Sequence, residues 1–212
     1  MKKYLAEFIG TFALVLVGTG SIVANDLTHG AIGNFGIALS FGLIVCFMIL
    51  LFGKASGAHL NPAVTLGLWA AKIFPAKNVA PYLTAQLAGA LTASFLLKIL
   101  FPSDANLGAT HPSGATWVSF VLEFGLTLFL MLSIILLSIT KSGIARWTPF
   151  LVGLIIFLEA YFAGPFCGAS MNPARSLAPA LASQNLTHLW IYLVAPISGS
   201  LSAVFTQRFL SV

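Results

Sequence analysis

Charge is scarce in this 212-residue chain: Asp, Glu, Lys and Arg together make 7% of it, against about 25% in soluble globular domains. With 58% hydrophobic residues and a mean hydropathy of +0.99, that scarcity excludes a soluble enzyme and leaves an integral membrane protein. Cysteine is scarce too. Cys46 and Cys167 are too few and too far apart for a disulfide framework or a zinc site, and read as free thiols in a bundle. No Ser-His-Asp set, phosphate loop or metal-ligand spacing stands out, so no catalytic residue, cofactor or metal is expected. The formal charge of +5 is not a nucleic-acid signal, because the ten basic residues are spread along the chain without a basic run.

What the chain does have is six apolar stretches long enough to span a bilayer core of about 30 Å. They run from Tyr4 to Ala24, Phe35 to Gly53, Val79 to Phe101, Trp117 to Ile139, Thr148 to Pro165, and His188 to Phe209. The first resembles a signal peptide after Met1-Lys2-Lys3. It carries Glu7, however, and extends to Ala24 with only a weak small-residue site, so it reads as a span. Basic residues fall in every second connection: Lys2 and Lys3, then Lys54, Lys72 and Lys77, then Lys141 and Arg146, then Arg208. That alternation predicts a multi-pass protein of the plasma or inner membrane with both termini cytoplasmic. Lys98 falls near the outer end of span three, where snorkelling to the interface is the simple reading.

Between spans two and three lies Ser56-Gly57-Ala58-His59-Leu60-Asn61-Pro62-Ala63, and between spans five and six lies Gly168-Ala169-Ser170-Met171-Asn172-Pro173-Ala174-Arg175. Asn is a good N-cap and Pro is preformed for the first helical position. Each stretch therefore predicts loop, cap and helix. The apolar segments that follow, Ala63 to Ala71 and Ala174 to Ala182, are only long enough to cross half a bilayer. Dipping in from opposite sides, two such half-helices would meet near the middle with their N-termini facing.

The halves repeat. Glu7-Phe8 matches Glu123-Phe124, and Gly42 and Gly153 each stand nineteen residues before the Asn of their half. Tyr82-Leu83 matches Tyr192-Leu193, and the small-residue steps Gly89/Ala93 and Gly199/Ala203 correspond. Three spans per half is odd, so the second copy is inverted, and the site is expected at the interface of the halves. The fold class predicted is a single all-α membrane channel domain, 1–212. It has six transmembrane helices, two re-entrant half-helices and inverted repeats at roughly 1–105 and 115–212.

Two facing helix tips, each carrying about half a positive charge, disfavour a cation or proton at the midplane. The Asn61 and Asn172 amides can donate to a passing oxygen. The loops before them, with Gly57, Ala58, His59 and Leu60 in one half and Gly168, Ala169, Ser170 and Met171 in the other, offer a ladder of carbonyl acceptors. With Asn61-Pro62-Ala63, Asn172-Pro173-Ala174-Arg175, six spans and a Glu in spans one and four, the whole chain resembles the major intrinsic proteins, the aquaporin and aquaglyceroporin channels. That resemblance implies a homotetramer in the lipid bilayer with one pore per subunit. Each pore would pass water or small neutral solutes and exclude protons.

Carried over by spacing from the two Asn residues, the family's outer filter falls on Phe41, Ala160, Ala169 and Arg175. Water-selective members place His where this chain has Ala160, so the opening here is expected to be wider and less polar. Glycerol-selective members have two aromatics in the filter, and this chain has one. The string Gly164-Pro165-Phe166-Cys167-Gly168-Ala169-Ser170-Met171 is similar to the nodulin-like branch and its bacterial relatives, which is associated with glycerol and neutral metalloid acids. Glycerol-like polyols, urea and neutral metalloid acids are the expected solutes beside water. The alternatives are a strictly water-selective pore and, in a different class, a proton-coupled secondary transporter.

Three of the five acids lie in spans, where each needs a role. Glu7 and Glu123, as repeat partners, are expected to accept from backbone N–H groups of the re-entrant loops. Glu159, beside Ala160, is expected to orient Arg175 or its loop, with a bond elsewhere in the bundle as the other reading.

Overall fold

The computed structural model describes residues 1–140 and 143–210, and among them every regular element is helical. The elements are α1 (Lys2–Leu27), α2 (Gly33–Ser56), α3 (Pro62–Ala70), α4 (Val79–Leu100), α5 (Thr116–Ile139), α6 (Thr148–Cys167), α7 (Pro173–Ser183) and α8 (Leu189–Leu210). Short 3-10 turns at Ala76–Asn78 and Gly143–Trp147 lead into α4 and α6. All but α3 and α7 are long and apolar enough to cross a membrane. Lys141, one of the residues that set the expected orientation, lies outside the described residues.

The bundle is apolar outside as well as inside. Leu43, Phe47, Phe162, Phe166 and Phe205 are more than half exposed, while Glu7, Thr11, Gln86, Glu123 and Thr127 are fully buried. A chain that meets lipid can expose phenylalanine freely, but it must satisfy its backbone internally.

Packing repeats across the halves. α1 lies along α4 as α5 lies along α8, α1 meets α2 as α5 meets α6, and α2 crosses α6 at the centre. Each half-helix packs on the last helix of the other half, α3 on α8 and α7 on α4. The halves are thus interleaved as inverted repeats. Close approach of the long helices to one another needs glycine at Gly89, Gly199, Gly42 and Gly153. A Cβ on Gly89 would meet Phe8 O, and one on Gly199 would meet Phe124 O. A Cβ on Gly42 would lie 2.7 Å from Gly153 O, and one on Gly153 would lie 2.7 Å from Gly42 O.

One expectation needs correction. Helix α6 does not stop at Pro165 but continues to Cys167. Proline removes the N–H that would bond Tyr161 O, and the Asn34 side chain donates to that carbonyl instead, at 2.7 Å. Lys98, in the last turn of α4, is exposed. Its Nζ donates to Ala182 O at 2.6 Å, where a cation satisfies a carbonyl in the last turn of α7.

Candidate functional site: a pore centred on two half-helix tips

The two Asn-Pro-Ala stretches fold as their residues dictate. Asn61 and Asn172 are extended N-caps, and Pro62 and Pro173 open the half-helices. Asn61 Oδ1 accepts from Ala63 N at 2.9 Å, and Asn172 Oδ1 accepts from Ala174 N at 3.0 Å. The amide nitrogens then cross over. Asn61 Nδ2 donates to Met171 O at 2.7 Å, and Asn172 Nδ2 donates to Leu60 O at 2.9 Å. Each Asn therefore bonds the residue just before its counterpart, which fixes the two α-helical tips against each other. An amide nitrogen carries two hydrogens, so each Asn keeps one for the cavity it lines. Ala63 and Ala174 are fully buried and serve as close packing.

The loops before the tips hold costly backbone. Gly57, Ala58 and Leu60 have φ of 89°, 46° and 54°; Gly168, Ala169 and Met171 match them at 86°, 41° and 53°. Non-glycine residues adopt positive φ only under strong local constraint. Buried glutamates supply it. Glu7 accepts from His59 N and Leu60 N at 2.9 and 2.8 Å, and Glu123 accepts from Ser170 N and Met171 N at 2.7 and 2.8 Å. Tyr82 and Tyr192 donate to the carbonyls of Ser56 and Cys167, one residue ahead of each loop. With their N–H groups pinned, the loops keep the carbonyls of residues 57–59 and 168–170 free of protein donors among the described residues.

A cavity of about 260 Å³ runs past this centre. Phe41, Ala160, Ala169 and Arg175 line it together with Asn61, Asn172, His59 and Met171, so the geometry brings together the residues placed in the filter by spacing. Arg175 is 2% exposed, its Nη1 donates to Gly108 O at 2.8 Å, and its guanidinium lies 5.1 Å from the Phe41 ring centroid. Gly168 does not line the cavity; its place is against Thr110, where only a glycine at φ +86° fits.

Glu159 departs from expectation. Both of its oxygens are buried without a hydrogen-bond partner among the described residues, so it makes no direct bond to Arg175 or to the loop. It does not line the cavity either. Other residues that sequence reasoning passed over do the supporting. Gln86 Nε2 bridges Glu7 and Thr65, and Ser56 Oγ donates to Glu7. In the second half Thr110 donates to Ser176 at 2.8 Å, and Ser176 shares a hydrogen bond with Ser170. Gly18 leaves room for Phe41, whose ring occupies the space a Cβ there would need. The only sequence signal for any of these was the Tyr82/Tyr192 correspondence, which points at the loop ends.

Residues 1–207 match the Major intrinsic protein family model, and the chain belongs to that family. It is 38% identical over 218 residues to Aquaporin NIP3-1 of Arabidopsis thaliana, covering 99% of this chain and 68% of that one. It is 35% identical over 209 residues to Nodulin-26 of Glycine max, covering 98% and 77%. The fold is similar to that of the aquaglyceroporin from Plasmodium falciparum, with a TM-score of 0.85, 31% identity, and coverage of 96% and 93%.

Proposed function

We propose that this protein is a passive channel for water and small uncharged solutes: glycerol-like polyols, urea and neutral metalloid acids. One observation carries the reading: the crossed Asn61 and Asn172 amides line the same continuous cavity as Phe41, Ala160, Ala169 and Arg175. At the centre a solute oxygen can accept from both free amide hydrogens. A water held that way points its own hydrogens outward, so a proton wire is interrupted there. The two helix tips and the Arg175 guanidinium add positive potential that repels cations. Free carbonyls on one wall and Leu14, Val45 and Val152 on the other suit a molecule with hydroxyls on one side and carbon on the other. Ala160 and Ala169 supply width.

The working form we infer is a homotetramer in the plasma or inner membrane, both termini cytoplasmic, each subunit a single channel domain. Basic residues concentrated at the end that bears the termini support the orientation. Light scattering from proteoliposomes tests the function. Swelling should be accelerated in water and again in isotonic glycerol or urea gradients. Acceleration in water alone would establish the strictly water-selective alternative instead.

A further inference from the structure

We infer that the end of the bundle carrying both termini holds a binding site for one anionic phospholipid headgroup, at the connection between α3 and α4. Three separate parts of the chain bring cations there. Lys72 and Lys77 are exposed on the connection itself. Lys3, from the start of α1, donates to Asn78 Oδ1 at 2.9 Å, next to Lys77. Arg208, from the end of α8, donates to Ala70 O at 3.2 Å, two residues before Lys72. Among the described residues the protein partners of Lys3 and Arg208 are neutral oxygens and the Tyr4 and Phe205 rings, so neither charge is cancelled there.

No acidic side chain among the described residues offsets them. Of the five in the chain, Glu7, Glu123 and Glu159 are buried, and Asp26 and Asp104 belong to the opposite end of the bundle. Beside the cations lie Trp69 and Ile73, 45% and 41% exposed. Clustered cations next to exposed aromatic and aliphatic surface, at the level where helices leave the membrane, match a phosphate with acyl chains attached. A soluble anion would have no use for the apolar part. The site ties the first helix, the first half-helix and the last helix together.

Native mass spectrometry of the full-length protein in detergent, with equimolar phosphatidylglycerol and phosphatidylcholine, tests this. Wild type should retain phosphatidylglycerol in preference. The Lys72→Asn, Lys77→Gln, Arg208→Gln variant should weaken that preference by roughly a hundredfold, from about a fivefold loss per cation; Asn suits the left-handed backbone at Lys72, φ 61°. A Lys54→Gln, Arg146→Gln variant removes two cations from the same end outside the site and should keep it. Equal retention of both lipids by wild type would overturn the proposal, as would the same loss per cation removed in the two variants, which would mean a diffuse charge effect. Displacement of phosphatidylglycerol by a soluble poly-glutamate peptide would show an acidic protein partner and also overturn it. If the triple variant does not fold, Arg208→Gln alone should show about the single-cation loss.

Discussion

Glu159 shows how much a single side chain can be at odds with its surroundings. It is 8% exposed, with neither oxygen bonded among the described residues, while the fully buried Glu7 and Glu123 accept from N–H groups of the strained loops. A buried polar group without a partner costs roughly 1–3 kcal/mol. Glu159→Met should therefore raise stability by about that amount and leave water permeation unchanged; a lower thermal midpoint would mean that the carboxyl has an essential partner. Glu123→Gln should do the opposite. Its amide nitrogen would face one of the two loop N–H groups, at a cost of a few kcal/mol, seen as loss of the folded species in size-exclusion chromatography. The filter is set at the same scale. Ala160→His with Ala169→Cys narrows the cavity at two of its lining positions and should cut glycerol flux at least severalfold while sparing water; equal glycerol uptake by both proteins would refute a wide filter. The Asn caps, the filter positions and the paired glutamates were legible because each has a local signature or a repeat partner. Gly18, Gln86 and the partner of Lys98 were not. Their meaning lies in contacts with residues 21 to 84 positions away, which no local pattern encodes.

At the scale of elements, the six long helices could be read from hydropathy alone, since lipid demands continuous apolar length. The half-helices could be read from their caps. The loop between α4 and α5 could not, because its role depends on what it reaches. Gly108 O receives Arg175, and Thr110 donates to Ser176, so this surface loop latches α7. In the first half the equivalent bond to Thr65 comes from Gln86 inside the bundle. The latch carries His111, whose Nε2 is buried without a hydrogen-bond partner among the described residues. Burial holds the imidazole below its ordinary value of 6.5, and His188 and Arg175 nearby push the same way. A loop that lets go of the bundle binds a proton more readily than the packed one. The latch is therefore fully favoured above pH 6.5 and weakens as pH falls through the depressed value. Hydrogen exchange at Ala109 and Ser113, whose amides are bonded, should accelerate between pH 7.5 and 5 relative to the intrinsic rate. His111→Gln should remove that extra acceleration; an identical acceleration in the variant would rule out His111 as its source.

For the whole molecule, the two halves line one shared cavity. A transporter that rocks one repeat against the other needs an interface that can open. Here the interface is closed by reciprocal bonds: Asn61 to Met171, Asn172 to Leu60, and the backbones of Gly42 and Gly153 in close approach. Rocking would break the first two and leave buried amides unpaired. Proton coupling would need a carboxyl in contact with the cavity. Glu7, Glu123 and Glu159 are all absent from its lining, and the first two are fully occupied by the loops. Solute flux should therefore follow the solute gradient alone. In proteoliposomes with an imposed pH gradient, glycerol uptake should be the same with and without a proton ionophore. Uptake that collapses when the ionophore is added would mean that the halves move and that one of the three glutamates carries the proton.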